Sequence, residues 1–404
     1  MKIGIIGGGA SGMLAAIAAA KVGAKVTIIE HMPRIGKKLL LTGSGKCNIS
    51  NEDMDISHFH GNDLTLLKEV FKECPVDKTL SFLEELGLYL KNRNGYLYPY
   101  SEQASAVLDV LRFALRDLGV EIIPQIEISE IAKQKNFVVY TNEGQFNFDK
   151  LILCCGSKSY ASTGSDGSGY TLAKKFGHNI IKPLSALTFL NCKENFYSSI
   201  AGIRTKANVS VIADNKMLAD ETGELQITKT GISGIPVFNI SFLVAKSLDS
   251  GHRLKAIIDF LPDVSVNEID QMLETRIKSF PNRTLEELFT GILHKNLGNL
   301  IIKRCDVKLS MKFNEIAKNK ELLAKIIEMT KSFDTVIEST GGFDNSQVLS
   351  GGVDTTQVKS NLESKLVDGL YFAGEILDIN GDCGGYNLTW AFTSGIVAGR
   401  NCVK

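Results

Sequence analysis

The chain predicts an α/β fold in which a parallel-sheet domain is assembled from both ends of the sequence and interrupted by an insertion, first β-rich and then helical. Three observations carry this: a glycine turn joining a strand to a helix near the start, a small meander and return strand at 120–156, and a second strand, glycine-rich turn and helix near the end. At 404 residues, 44% hydrophobic and 22% charged, the chain has apolar surface for a large core and for two or three structural units.

KIGIIGGG reads as a short buried strand running into a glycine turn, ASGMLAAIAAAKVG as an Ala-rich helix able to approach a sheet closely, and AKVTIIE as a second strand. The helix carries the chain back across the sheet, so the two strands lie parallel in a βαβ unit. Gly7, Gly9 and Gly12 form GxGxxG across that junction, with Ala10 and Ser11 opening the helix and Glu30 closing the next strand. Gly7 permits the tight turn, Gly9 leaves room for a pyrophosphate, and Gly12 lets the helix pack on the strand. The helix N-terminus favours phosphate charge. Glu30 can accept hydrogen bonds from both ribose hydroxyls and would repel a 2′-phosphate. This is a dinucleotide site in a Rossmann-like domain.

After a Gly-rich loop at 36–51, DKTLSFLEELGLYL and SEQASAVLDVLRFALRDLG carry helical spacing, the second with Ser101 as N-cap. VEIIPQIEISEIA, NFVVYTN and GQFNFDKLILCCG then read as an antiparallel meander and a return strand ending at Cys155 and Gly156. Cys154 and Cys155 are read as small hydrophobes of a buried strand. ANVSVIAD, LQITKTG and LKAIIDFLP are strand-like, VNEIDQMLETRIKSF and NEIAKNKELLAKIIEMTKSF helical. The expected domains are 1–187 with 336–404, an inserted β-rich domain at 188–262 and an inserted helical domain at 263–335. A meander rather than further βαβ crossovers is the two-dinucleotide-binding arrangement of flavoproteins, so the expected dinucleotide is FAD. In GLYFAGE, Gly374 and Glu375 end a strand where an acid can hold the ribityl chain.

GKKLLLTGSGKCNISN (36–51), YPYSEQASAV (98–107), GSKSYASTGSDGSGYTLAKKFGH (156–178), GELQITKTGISG (223–234), SGGV (350–353) and YFAGEILDINGDCGGYNLTWAFTSG (371–395) closely resemble the flavoprotein family that includes aminoacetone oxidase and the bile-acid dehydro-reductase BaiN. The resemblance runs in order along nearly the whole chain. It implies an FAD-binding Rossmann-like domain interrupted by a β-barrel-like and a helical insertion. It also implies that Lys38, Ser44, Gly45, Lys46, Cys47 and Asn48 line the cofactor and that the backbone of Ile128 meets the adenine. Gly385, Tyr386, Asn387 and Leu388 would present a helix N-terminus to the flavin pyrimidine edge, where backbone donors stabilise charge collecting at N1 and O2 on reduction. Lys46 departs from the family's usual Arg, keeping the charge and losing the planar fork. Leu40 and Leu41 stand where a smaller residue is usual.

Flavin carries the redox chemistry itself, and no dedicated acid or base stands out. Tyr386, Asn387, Lys46, Tyr160 and Asp378 are polar candidates near the ring, read as structural or cofactor-holding. His58 and His60, an HxH beside Asp53 and Asp55, are read as solvated loop residues rather than metal ligands, because no third ligand partners them. GSDGSG at 164–169 is read as a turn rather than a phosphate loop. No second GxGxxG follows a strand in the insertion, so electrons come from the substrate or from NAD(P)H visiting transiently. The leading expectation is NAD(P)H-linked reduction of an activated C=C bond in a small organic substrate; the alternatives are an amine-type oxidase using oxygen and a non-catalytic or RNA-associated flavin protein. Lys plus Arg and Asp plus Glu number 45 each, which argues against a nucleic-acid partner. Eight scattered cysteines without a CxxC, no targeting segment and no apolar run of membrane-spanning length lead to the expectation of a cytoplasmic protein that does not engage membrane.

Overall fold

A computed structural model describes all 404 residues, and the chain divides into two compact units: Met1–Leu184 with Phe343–Lys404, and Ser185–Gly342. In the first unit five parallel strands form one sheet, labelled in chain order β1 (Lys2–Ile6), β2 (Lys25–Ile29), β3 (Glu121–Ile123), β4 (Lys150–Leu153) and β5 (Leu370–Phe372). Their spatial order is β5-β4-β1-β2-β3, so the first strand is central and the last lies at an edge. Ile3, Ile5, Ile28, Leu151, Ile152 and Leu153 are fully buried, the near-continuous apolar character of a parallel sheet covered on both faces.

The Ala-rich helix Ala10–Lys21 and the C-terminal helix Tyr386–Asn401 pack against each other at backbone range. A β-carbon on Gly395 would lie 2.4 Å from the Ser11 carbonyl oxygen, and one on Gly399 2.2 Å from that of Ala15. Small residues on both faces are what permit this approach.

Some local expectations shift. VEII does not start the meander: β3 pairs in parallel with β2, Thr27 opposite Glu121, because an edge position on the main sheet was open to it. The meander proper is Ile128–Lys133, Phe137–Thr141 and Gly144–Phe148. The loop at 36–51 contains 3-10 turns over Leu39–Gly45. Helix Ala104–Asp117 is capped at Gln103 with no side-chain bond, so Ser101 is not its cap. GSDGSG turns and then opens a helix, Ser168–Lys175. Cys154 and Cys155 follow β4, and all eight cysteines are free thiols.

The second unit is a closed antiparallel barrel of six strands, in order Leu190–Cys192, Gly231–Gly234, Lys216–Ile227, Arg204–Ala213, Leu254–Asp259 and Phe333–Thr340, the last pairing with the first. Closure removes the unpaired edges an open sheet would leave. Helices Val266–Ser279, Lys295–Arg304 and Lys320–Lys331 lie in the excursion between the last two barrel strands and share one hydrophobic core with them. The expected boundary at residue 336 therefore falls inside the closing strand, and barrel and helices form a single unit. No helix of the protein is long and apolar enough to cross a membrane.

Candidate functional site

The first glycine turn sits where β1, β4 and the first helix converge. Gly7 has φ +100°, its N–H donates to the Ile29 carbonyl at 2.9 Å, and a β-carbon on it would lie 2.5 Å from the Cys154 carbonyl oxygen. Gly12 is tighter, with 2.0 Å to the Gly7 oxygen. Gly9, by contrast, has nothing within 4 Å of the corresponding point, and it precedes the helix without a side-chain cap. The helix therefore begins with uncapped N–H groups beside open space, a place suited to an anion.

Glu30 is buried. Its Oε2 accepts the Gly8 N–H and its Oε1 the Met32 N–H, each at 2.8 Å. A carboxylate has acceptor capacity for about four hydrogen bonds; His31 Nδ1 also lies 3.4 Å from Oε1, and the capacity left on Glu30 can serve a ribose hydroxyl. The Ile126 N–H donates to the Glu30 carbonyl at 3.0 Å, which brings the segment leading to Ile128 beside this acid.

Much of the loop Thr42–Asn48 is left-handed. Gly43, Ser44, Gly45 and Cys47 all have positive φ, at 55°, 55°, 86° and 59°. Ser44 and Cys47 hold this conformation without glycine's freedom, at a cost of about 1–3 kcal/mol each. Within the loop the Lys46 N–H donates to the Gly43 carbonyl at 3.1 Å and the Cys47 N–H to that of Thr42 at 3.0 Å, which fixes its turn. Asn48 Oδ1 is buried without a partner. Lys46 reaches Glu102 at 3.6 Å and remains half exposed. Burial pushes the Cys47 thiol up to about 11 and Cys155 to about 12, so neither is a thiolate.

The last glycine turn meets the first: a β-carbon on Gly374 would lie 2.5 Å from Ser11 Oγ. Lys38 Nζ donates to Glu375 Oε2 at 2.6 Å, and Ser157 Oγ donates to Glu375 Oε1 at 2.8 Å. Ser159 Oγ also reaches Glu375, at 3.2 Å. The sequence alone does not single out Ser157 and Ser159, although GSKS two residues after β4, opening on Gly156 with φ +71°, is a usable signal. Trp390 Nε1 donates to the Gly374 carbonyl at 3.2 Å and locks the turn to the C-terminal helix.

That helix is capped by Gly385 (φ 98°), where a β-carbon would strike the Ser50 backbone at 2.6 Å. Asn387 accepts the Gly381 N–H at 2.8 Å and donates to the Gly381 carbonyl at 2.7 Å, so its side chain clamps the preceding loop. Tyr386 is buried and stacks on His58 at 4.6 Å, and Leu388 packs against the core. Asp378 is buried and accepts the Asn62 N–H at 3.0 Å; Tyr160 takes a left-handed conformation. His58 and His60 are not solvated loop residues: both imidazoles are held by Asp382.

The residues present fit an FAD. Open space adjoins Gly9, Glu30 keeps acceptor capacity, and Asn48 Oδ1, Tyr170 OH and Asn380 Oδ1 are buried polar atoms with no partner in the chain.

Comparison with known proteins agrees. The chain is 42% identical, over 99% of its own length and 98% of the other's, to a 3-dehydro-bile acid delta(4,6)-reductase of Clostridium scindens. It is 28% identical, over 96% and 95%, to a ribosomal RNA dihydrouridine synthase of Haemophilus influenzae. In fold it matches the 3-ketosteroid-delta4-(5alpha)-dehydrogenase of Rhodococcus jostii with a TM-score of 0.51 at 12% identity, covering 100% of this chain and 96% of that one. Fold, site and relatives define the class: a Rossmann-type, FAD-dependent oxidoreductase. Within that class the chain belongs to the family described as HI0933-like protein Rossmann domain, which matches residues 1–401.

Proposed function

We propose that this protein holds FAD between its two chain ends and reduces a C=C bond conjugated to a carbonyl in a small organic substrate, with NAD(P)H as reductant. The pyrophosphate would lie along Gly9, Ala10, Ser11 and Gly12, the adenosine ribose on Glu30, and the adenine against the backbone leading to Ile128. Lys38 and Glu375 would hold the ribityl region, and Ser44, Gly45, Lys46, Cys47 and Asn48 would line the cofactor. Cys155, Gly156 and Gly374 form the adjoining walls. Bound flavin supplies hydride chemistry. The uncapped N-terminus of the helix at Tyr386 would stabilise negative charge beside it.

The observation that carries the reaction class is the end-to-end likeness to a delta(4,6)-reductase of a 3-dehydro bile acid. A delta-4 double bond next to a 3-oxo group is an enone, which accepts hydride at its β-carbon. The test is anaerobic: NADH and NADPH bleach the flavin of the purified protein, and a 3-oxo-Δ4-steroid or cyclohexenone restores its colour. Bleaching by amines with reoxidation by oxygen alone would support an oxidase instead.

A second reading follows from the dihydrouridine synthase likeness. The uracil C5=C6 bond is also conjugated to a carbonyl, so the same chemistry could act on RNA. Equal numbers of acidic and basic residues argue for the small-molecule reading. Retention of ribosomal RNA in a filter assay, with loss of uridine absorbance under NADPH, would favour the RNA substrate.

A further inference from the structure

We propose that Asp53, His58, Asp382 and His60 form a proton relay for this reduction, with Asn387 as the positioning residue that sets Asp382. The inference rests on the C=C reductase reading. Adding a hydride to the β-carbon pushes the double-bond electron pair towards the α-carbon and the carbonyl. One proton must then form the new C–H bond at the α-carbon. The hydride comes from reduced flavin and the proton from the relay, which is refilled from water, so two electrons and two hydrogens are delivered.

The geometry makes a continuous path. His58 Nε2 lies 3.3 Å from Asp53 Oδ2, and His58 Nδ1 lies 3.0 Å from Asp382 Oδ2. The other Asp382 oxygen, Oδ1, lies 2.7 Å from His60 Nε2. The side chain of Asp53 is 69% exposed, against 30% for His58, 15% for Asp382 and 21% for His60, so the path leads from solvent to part-buried groups. One carboxylate joins both imidazoles, and each step is a hydrogen bond along which a single proton can pass.

The path is also tied to the site. His58 stacks on Tyr386 with rings 21° apart, and Tyr386 opens the helix placed at the flavin. Asn380–Gly381 pairs antiparallel with Phe59–His60, the Asp382 N–H donates to the His58 carbonyl at 2.9 Å, and Asn387 clamps Gly381 and the Asp382 carbonyl. Beside the relay Asn380 is 2% exposed, and its Oδ1 has no partner in the chain, an acceptor that calls for a donor from a bound molecule.

The groups facing His58 are Asp53 and Asp55 from its own loop, Asp382 from the turn before the C-terminal helix, and Tyr386 from that helix. Burial pulls His58 down, but its bonds to Asp382 and Asp53 and their charges prevail, so it titrates above the ordinary histidine range.

The test compares wild type with His58→Gln, His60→Gln and Asp382→Asn. Flavin is first reduced by NADPH, then mixed anaerobically with the steroid enone or separately with oxygen, and histidine Cε1–H resonances are titrated by NMR. We expect NADPH reduction and oxygen oxidation within about twofold of wild type. The enone step should slow by about 10- to 100-fold, with its pH profile displaced. Asp382→Asn should return the His58 titration to the ordinary range. Unchanged enone rates and pH profiles overturn the relay. So does equal slowing of all three steps, or an unmoved His58 titration in Asp382→Asn. If wild type reduces no enone at all, the reductase reading itself fails; if only the variants behave as wild type, the relay alone does.

Discussion

A β-carbon at Gly12 would lie 2.0 Å from the Gly7 carbonyl oxygen, a contact with backbone that no side-chain rotation relieves. Gly12→Ala should therefore lower stability by about 1–3 kcal/mol and reduce flavin retained per chain. Thermal unfolding and the visible spectrum of the purified variant check both. His178 shows a different residue-scale effect. It is buried, with Nε2 2.8 Å from Ser364 Oγ, no partner for Nδ1, and its ring edge-on to Phe372. Burial outweighs the attraction of Asp354 and holds its pKa below the ordinary value. The unfolded chain therefore binds this proton first as pH falls. The stability His178 contributes is present above about pH 6.5 and is lost as pH falls from there towards the folded-state value. Urea midpoints at pH 7.5 and 5.5 should fall less steeply in His178→Gln, the difference bounded by about 1.4 kcal/mol per pH unit.

At the scale of elements, the pairing of the first and last helices depends on glycines that sequence statistics would call weak. Replacing a helical glycine by alanine usually stabilises by about 1 kcal/mol. At Gly399 the new β-carbon would lie 2.2 Å from the Ala15 oxygen, so the sign reverses. Gly399→Ala should lower the denaturant midpoint, whereas Gly119→Ala, at an open site but with φ +67°, tests backbone strain without a clash. The βαβ unit was legible because everything that makes it lies within thirty residues: apolar strands, glycines at fixed spacing and one acid. EII carries no mark of its partner, so by sequence it joins the meander; the vacant edge of β2 decides its place. The barrel excursion misled for a similar reason, since the strand Phe333–Thr340 follows its helices yet closes a sheet begun at Leu190.

Each of the two units has its own hydrophobic core. The boundary at Leu184 falls inside the strand Ile180–Ala186, which pairs with Val348–Val353, a few residues after Phe343. A chain in which 185–342 is replaced by a short Gly/Ser linker should still unfold cooperatively and take up FAD. Aggregation or a colourless product would show that the first unit needs the second to fold.

What the amino-acid sequence determined by itself was the glycine turn, its helix and the distant acid, because short-range sterics and hydrogen bonding set their geometry. It also determined that the last strand and helix belong with the first, since both ends repeat the same strand, turn and helix logic. The tertiary structure alone decided which side chains became partners across more than three hundred residues: Lys38 with Glu375, and His58 and His60 with Asp382. Such pairs leave no periodic trace in the chain, because a single charge or imidazole in a loop looks solvated until packing removes the water and supplies the partner.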